Sequence, residues 1–119
     1  MGIEKKLQIK PGNHIAVLGK PDDANLPLGD QATTGADPST ADVVIAYVTN
    51  TSALDAVAGP AIQAAIDDRL AWIAYPTAGQ LGTDLNRDTL AAAVIERGGR
   101  PVRQISIDDV WSALRFRPA

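Results

Sequence analysis

Residues 69–90 constrain the fold more than any other stretch. Leu70-Ala71-Trp72-Ile73-Ala74-Tyr75 is an unbroken apolar run, a loop rich in Gly and Thr follows, and Asn86 opens a helix. A buried strand that feeds a capped helix through such a loop is the repeating unit of an α/β sheet, and these loops are where α/β proteins usually bind ligands. The unit dictates an architecture and a place to look, but no reaction.

Composition narrows the alternatives. A chain of 119 residues predicts a single domain spanning residues 1–119. Apolar residues make up 45% of it, which excludes wholesale disorder. There is no cysteine, so neither a disulfide frame nor a thiolate metal site is possible, and a reducing, cytoplasmic location is expected. The net charge of −3 gives no long-range attraction to nucleic acid or to an anionic membrane. The start, Met1-Gly2-Ile3-Glu4-Lys5-Lys6, has no hydrophobic signal core, and Lys6 stands where a myristoylation signal needs Ser or Thr. The longest apolar runs, residues 43–48 and 70–75, fall far short of the roughly 20 residues that cross a bilayer.

Along the chain, residues 3–9 read as a short helix with Ile3 and Leu7 on one side, stopped by Pro11-Gly12. Residues 14–18, ending at Gly19, read as the first strand. Residues 20–40 are crowded with turn formers, and a weak strand is expected near 31–34 because so long a structureless loop is uncommon. Residues 42–48 are β-branched and continuously apolar, which predicts an interior strand covered on both faces. Ser52, with Asp55 three residues on, predicts a helix start. Gly59-Pro60 then predicts two short helices or one kinked helix over residues 53–67. Asn86 caps the next helix, Leu85 and Leu90 form a hydrophobic staple, Leu90, Val94 and Ile95 form its buried stripe, and Gly98-Gly99 ends it. Residues 102–107 and 111–117 close the chain as an antiparallel pair joined near Asp108-Asp109. In the second of these, Trp111, Ala113 and Arg115 face one way and Ser112, Leu114 and Phe116 the other.

Most chemistries lack their residues. The place of a dinucleotide fingerprint reads Gly19-Lys20-Pro21-Asp22-Asp23-Ala24, with one glycine, a proline that removes a donor, and two carboxylates that repel phosphate. Pro21 likewise spoils a Walker loop. His14 is the single histidine, too few for a zinc site without cysteine, and no Gly-x-Ser-x-Gly elbow exists. The pairs Asp22-Asp23, Asp67-Asp68 and Asp108-Asp109 lie where turns and helix ends are expected and read as turn residues rather than cation ligands. Tyr75 has Gly79 where a Tyr-x-x-x-Lys pair needs lysine, and reads as a core ring with a bonded hydroxyl.

If the second and third strands are parallel neighbours, Gly19-Lys20, residues 49–52 and residues 77–79 gather at one sheet edge, where Lys20 and Arg87 can meet a small anionic ligand beside Thr49, Thr77 and Gly79. Local capping and turning explain the same Thr, Asn and Gly. The tail places Trp111 and Phe116 beside Arg115 and Arg117, residue types enriched at interfaces. It reads either as an edge strand with its aromatics inside or as the seam of a homodimer.

Five motifs carry a resemblance. They are Leu7-Gln8-Ile9-Lys10-Pro11-Gly12 before a strand ending in Leu18-Gly19-Lys20-Pro21, then Ala41-Asp42-Val43-Val44 and Ala71-Trp72-Ile73-Ala74-Tyr75-Pro76, and finally Thr83-Asp84-Leu85-Asn86-Arg87-Asp88 and Trp111-Ser112-Ala113-Leu114-Arg115-Phe116. Together they resemble a family of small bacterial proteins of unknown function, which implies a Rossmann-like domain and brings no catalytic residue with it. The opening is also similar, more weakly, to class I methyltransferases, in which a Lys-Pro-Gly turn leads through a strand to a Gly-x-Gly loop for S-adenosylmethionine. Here the likeness stops at Lys20-Pro21-Asp22.

The sequence therefore predicts an α/β, Rossmann-like three-layer sandwich: a mostly parallel sheet with an antiparallel C-terminal strand and helices on both faces. The expected function is a non-catalytic module that self-associates or binds a protein partner, with no cofactor. The alternative is a site for a small anionic metabolite at the strand C-terminal edge, or a degenerate S-adenosylmethionine-dependent methyltransferase.

Overall fold

The structure, a computed structural model, describes residues 3–10, 12–21, 33–77 and 85–118. In chain order the elements are α1 (Ile3–Lys6), β1 (His14–Leu18), β2 (Thr33–Thr34), β3 (Val43–Tyr47), α2 (Thr51–Val57), α3 (Gly59–Ile66), β4 (Leu70–Pro76), α4 (Arg87–Glu96), β5 (Gly99–Ser106) and β6 (Trp111–Pro118). The β-branched and aromatic runs form the strands because such side chains fill a pleated, buried surface. All five residues of β3 are buried.

The strands hydrogen-bond in the order β2-β1-β3-β4-β6-β5. The β1/β2, β1/β3 and β3/β4 junctions are parallel, and β4/β6 and β5/β6 are antiparallel. This arrangement corrects the Rossmann-like three-layer sandwich expected above. The sheet is mixed, its strand order is not that of a Rossmann fold, and β6 is inserted between β4 and β5 rather than added at an edge. The three longer helices do not divide between the two faces either. Among the described residues, α2, α3 and α4 all bury their apolar side chains in one cluster, through Leu54, Ile62, Leu90 and Val94.

The reason lies in what apolarity reports. A continuous apolar strand requires cover on both faces but does not specify the cover. The second face is sealed by the N-terminal segment, with Leu7 fully buried and Ile9 8% exposed against Ile15, Val43, Ile45 and Trp72. Tyr47 and Trp111 complete this face in an edge-to-face pair with ring centroids 4.9 Å apart. Burying side chains of this size contributes roughly 1.5–3 kcal/mol each. The Trp72 indole N–H, buried here, donates to the Leu7 carbonyl at 3.0 Å, so the segment supplies a polar partner as well as apolar cover. The segment is not one helix over residues 3–9: α1 stops at Lys6, and Gln8 turns the chain away with φ 64°.

Local signals explain the other boundaries. Asn50, not Ser52, caps α2: its side-chain oxygen accepts from the Ala53 amide at 2.9 Å. The Gly59-Pro60 break separates α2 from α3, with proline in the first turn of α3 where it loses no helical hydrogen bond. On α4, Leu90 and Val94 are buried but Ile95 is 53% exposed, so the stripe is narrower than expected. β5 begins at Gly99, three residues before the expected start, because a glycine there lets the strand approach α4; a Cβ would stand 2.7 Å from Val94 Cγ1. Thr33–Thr34 forms the short edge strand beside β1.

Candidate functional site

Because β1, β3 and β4 run parallel in adjacent positions, their C-terminal ends share one rim. Gly19, Thr49 and Thr77 stand on that rim, just past the ends of β1, β3 and β4. Among the described residues, one end of it opens into a cavity. That cavity, about 410 Å³, lies between the first turn of α4 and the rim ends of β4, β6 and β5, and is lined by Tyr75, Thr77, Asn86, Arg87, Asp88, Gln104 and Ser112.

The strand register brings these groups together. Tyr75 pairs with Ser112 across β4/β6, and Ser112 pairs with Ser106 across β6/β5, so alternate residues Tyr75, Thr77, Gln104 and Ser112 share the helix-covered side. Gln104 Nε2 donates to the Tyr75 hydroxyl at 3.0 Å. The hydroxyls of Thr77 and Ser112 lie 2.9 Å apart and share one hydrogen. The Thr77 amide donates to the Val110 carbonyl at 2.6 Å, holding the end of β4 against the β5–β6 turn. That turn is set by the Asp108 carboxylate, which accepts from the amides of Val110 and Trp111 at 2.8 Å each. Burial pushes the Tyr75 phenol above its ordinary pKa, while the nearby Arg87 charge and hydrogen bonds from Ser112 and Gln104 pull the other way. Tyr75 is therefore a neutral donor and acceptor at physiological pH rather than a base.

Position in the sheet explains why a cavity is left here. Since β6 separates β4 from β5, the crossover through α4 must span about 10 Å, two strand spacings. α4 comes down chiefly on β5, while α3 covers β3, β4 and β6. The first turn of α4 thus stands off the ends of β4 and β6. Asn86 caps that turn, accepting from the amides of Asp88 and Thr89 at 2.9 Å each, while Thr89 Oγ1 accepts from the Asn86 amide at 2.9 Å. Arg87, the next residue, carries its guanidinium at the cavity mouth, 3.5 Å from the Asp88 carboxylate.

Of the residues expected to converge, Thr77 and Arg87 line this cavity; Gly19, Lys20 and Thr49 do not. Gly19 is instead a packing position. Its φ is +67°, and a Cβ would stand 2.6 Å from Val57 Cγ1 and 2.9 Å from the Tyr47 carbonyl oxygen. Lys20 is exposed and donates to its neighbour's carbonyl, Pro21 O, at 3.3 Å. Thr49 is half-buried. Gly79 and Asp22-Asp23 lie outside the described residues.

The tail residues are engaged within the chain. Trp111 and Phe116 are 4% and 1% exposed, on opposite faces of the sheet. Arg115 donates to the Gln8 side chain at 2.6 Å, and Arg117 donates from two nitrogens to the two oxygens of Asp68 at 3.0 and 3.2 Å. β6 is paired on both sides and offers no free edge. The described sheet instead ends at β5, where Pro101, a bulge between Pro101 and Arg103, and exposed arginines interrupt the edge.

A second hollow, about 200 Å³, is lined by Asp37, Pro38, Ser39, Pro60, Gln63 and Arg69. Arg69 is already spent there on the carbonyls of Pro38 and Ala41, both at 2.8 Å. Among the described residues, no three His, Asp or Glu side chains gather as metal ligands, and no helix is long and apolar enough to cross a membrane.

Sequence reading missed Gln104 and Ser112 as site residues, and treated Tyr75 as core. The alternation of residues 111–117 put Ser112 on the same side as Leu114, but nothing local says that Gln104 meets Tyr75, 29 positions away. Comparison with protein-family models, with curated proteins and with solved structures found no match.

Proposed function

We propose that this protein binds a small anionic metabolite in the cavity at the rim of β4, β6 and β5. One observation carries the reading: polar side chains from four separate elements, Tyr75 and Thr77, Ser112, Gln104 and Arg87, converge on one concavity of ligand size. Small-molecule sites are typically clefts of roughly 300–1,000 Å³ with a few placed polar groups. The hydroxyls and the amide are held by one another, so they are oriented before a ligand arrives, which lowers the ordering cost of binding. Arg87 supplies the positive charge that sets the sign of the ligand.

A thermal-shift screen of the full chain against a panel of anionic and neutral metabolites tests the reading. A ligand present at about a hundred times its dissociation constant adds about 2.7 kcal/mol of stability. The expected result is a shift for anionic members that Arg87→Gln abolishes. A panel without any shift, or shifts that Arg87→Gln and Tyr75→Phe leave intact, would count against it.

A further inference from the structure

We infer that the anion accepted by this cavity is a hydroxy monocarboxylate rather than a phosphate ester, an inference that rests on the binding role proposed above. Phosphate is commonly held at a helix N-terminus by free backbone N–H groups, often with more than one cation. Most of that cradle is taken up in α4. The amides of Asp88 and Thr89 both donate to Asn86 Oδ1 at 2.9 Å, the Asn86 amide donates to Thr89 Oγ1 at 2.9 Å, and the Leu90 amide donates to the Asn86 carbonyl at 3.0 Å. The capping box turns these donors back on the helix itself.

The charge balance points the same way. Among the described lining residues Arg87 is the one cation, and Asp88 stands 3.5 Å from it. A dianion would meet a single guanidinium beside a carboxylate. A monocarboxylate needs no more than that guanidinium, whose planar fork matches two carboxylate oxygens.

The neutral groups define what flanks the carboxylate. Gln104 Nε2 donates to the Tyr75 oxygen, so the Tyr75 O–H remains to donate elsewhere. Thr77 and Ser112 share one hydrogen at 2.9 Å and Ser112 also hydrogen-bonds Tyr75, which leaves the lone pairs of Thr77 free to accept beside the Tyr75 O–H. Hydroxyl donors and acceptors side by side suit a ligand group that both donates and accepts, which is a hydroxyl next to the carboxylate.

Calorimetric titration of the full chain tests this with matched probes: lactate and mandelate, each against its α-hydroxyphosphonate and its amide. The carboxylate of at least one set should bind about tenfold more tightly than its phosphonate and its amide, the scale of a lost charge-assisted pair. Arg87→Gln should cost that carboxylate about tenfold, and Tyr75→Phe about fivefold, as for one neutral hydrogen bond. Lys20→Gln, a charge change outside the cavity, should leave its affinity unchanged. A phosphonate that binds as well as its carboxylate would overturn the monocarboxylate assignment and leave the binding role standing. If neither carboxylate binds at millimolar concentration while the metabolite panel gives an Arg87-dependent shift with another class of anion, the assignment falls alone. If the panel is silent too, both fall.

Discussion

Among the described residues, the rim formed by the C-terminal ends of the parallel strands is tightly packed at β1/β3 and hollow at β4/β6. At the closed end, Gly19 turns the chain with φ +67° and brings it against Val57 of α2 and the Tyr47 carbonyl, with no room for another carbon atom. At the open end, the inserted antiparallel strand β6 carries α4 over to β5, and polar side chains line the gap. The two ends teach that a shared rim does not make a shared site. The connection that follows each strand decides whether the space above it is filled or left for a ligand.

The largest expected effect is at the closed end. Gly19→Ala should destabilise by about 3 kcal/mol, from the left-handed backbone and from overpacking against Val57. Adding Val57→Ala should return part of that loss but not all, because the Tyr47 carbonyl oxygen remains 2.9 Å from the new Cβ. Denaturant unfolding measures both, and a loss below about 1 kcal/mol for the single variant would mean that this end is not tightly closed.

At the open end, Asn86→Ala should cost about 1 kcal/mol, the usual value of a helix cap. It should also release the amides of Asp88 and Thr89 toward the cavity, so phosphonate affinity should rise relative to carboxylate. A cap loss with no change in that ratio would show that the capping box does not govern ligand choice.

Tyr47 offers a gain of similar size on the face of the sheet away from α2, α3 and α4. Its hydroxyl is buried without a hydrogen-bond partner among the described residues, and Tyr47→Phe should stabilise by about 1 kcal/mol by removing an unsatisfied polar group. The same substitution should flatten the alkaline limb. Burial, then the Asp108 charge, push the Tyr47 phenol up from 10.0 to about 12. Its neutral form therefore contributes stability that is complete below pH 10.0 and is lost as the pH rises toward about 12. Thermal midpoints across that window, in wild type and variant, measure the difference.

The smallest effect lies away from the rim and calibrates the others. The hydrogen bond and charge of Arg117 hold the Asp68 carboxyl below its ordinary 3.8. The ionised form therefore contributes stability present above that value and lost as the pH falls through the lower folded value. Asp68→Asn should make the acid limb shallower below pH 3.8 and leave ligand affinity unchanged, which paired melting and titration experiments would check.

Local chemistry made much of this molecule readable in one dimension. The apolar runs became β3 and β4, Gly59-Pro60 separated two helices, Asn86 capped α4, and the alternation of residues 111–117 divided β6 between the two faces. Each is settled within a few residues by turn propensity, cap hydrogen bonding or side-chain period. Which strand lies beside which, which face the helices cover, that Leu7 rather than a helix seals the other face, and that Gln104 reaches Tyr75 were decided only in three dimensions. The hydrophobic effect rewards burial without direction. An apolar run must therefore be covered, but its cover is chosen by competition among distant segments whose local patterns look alike.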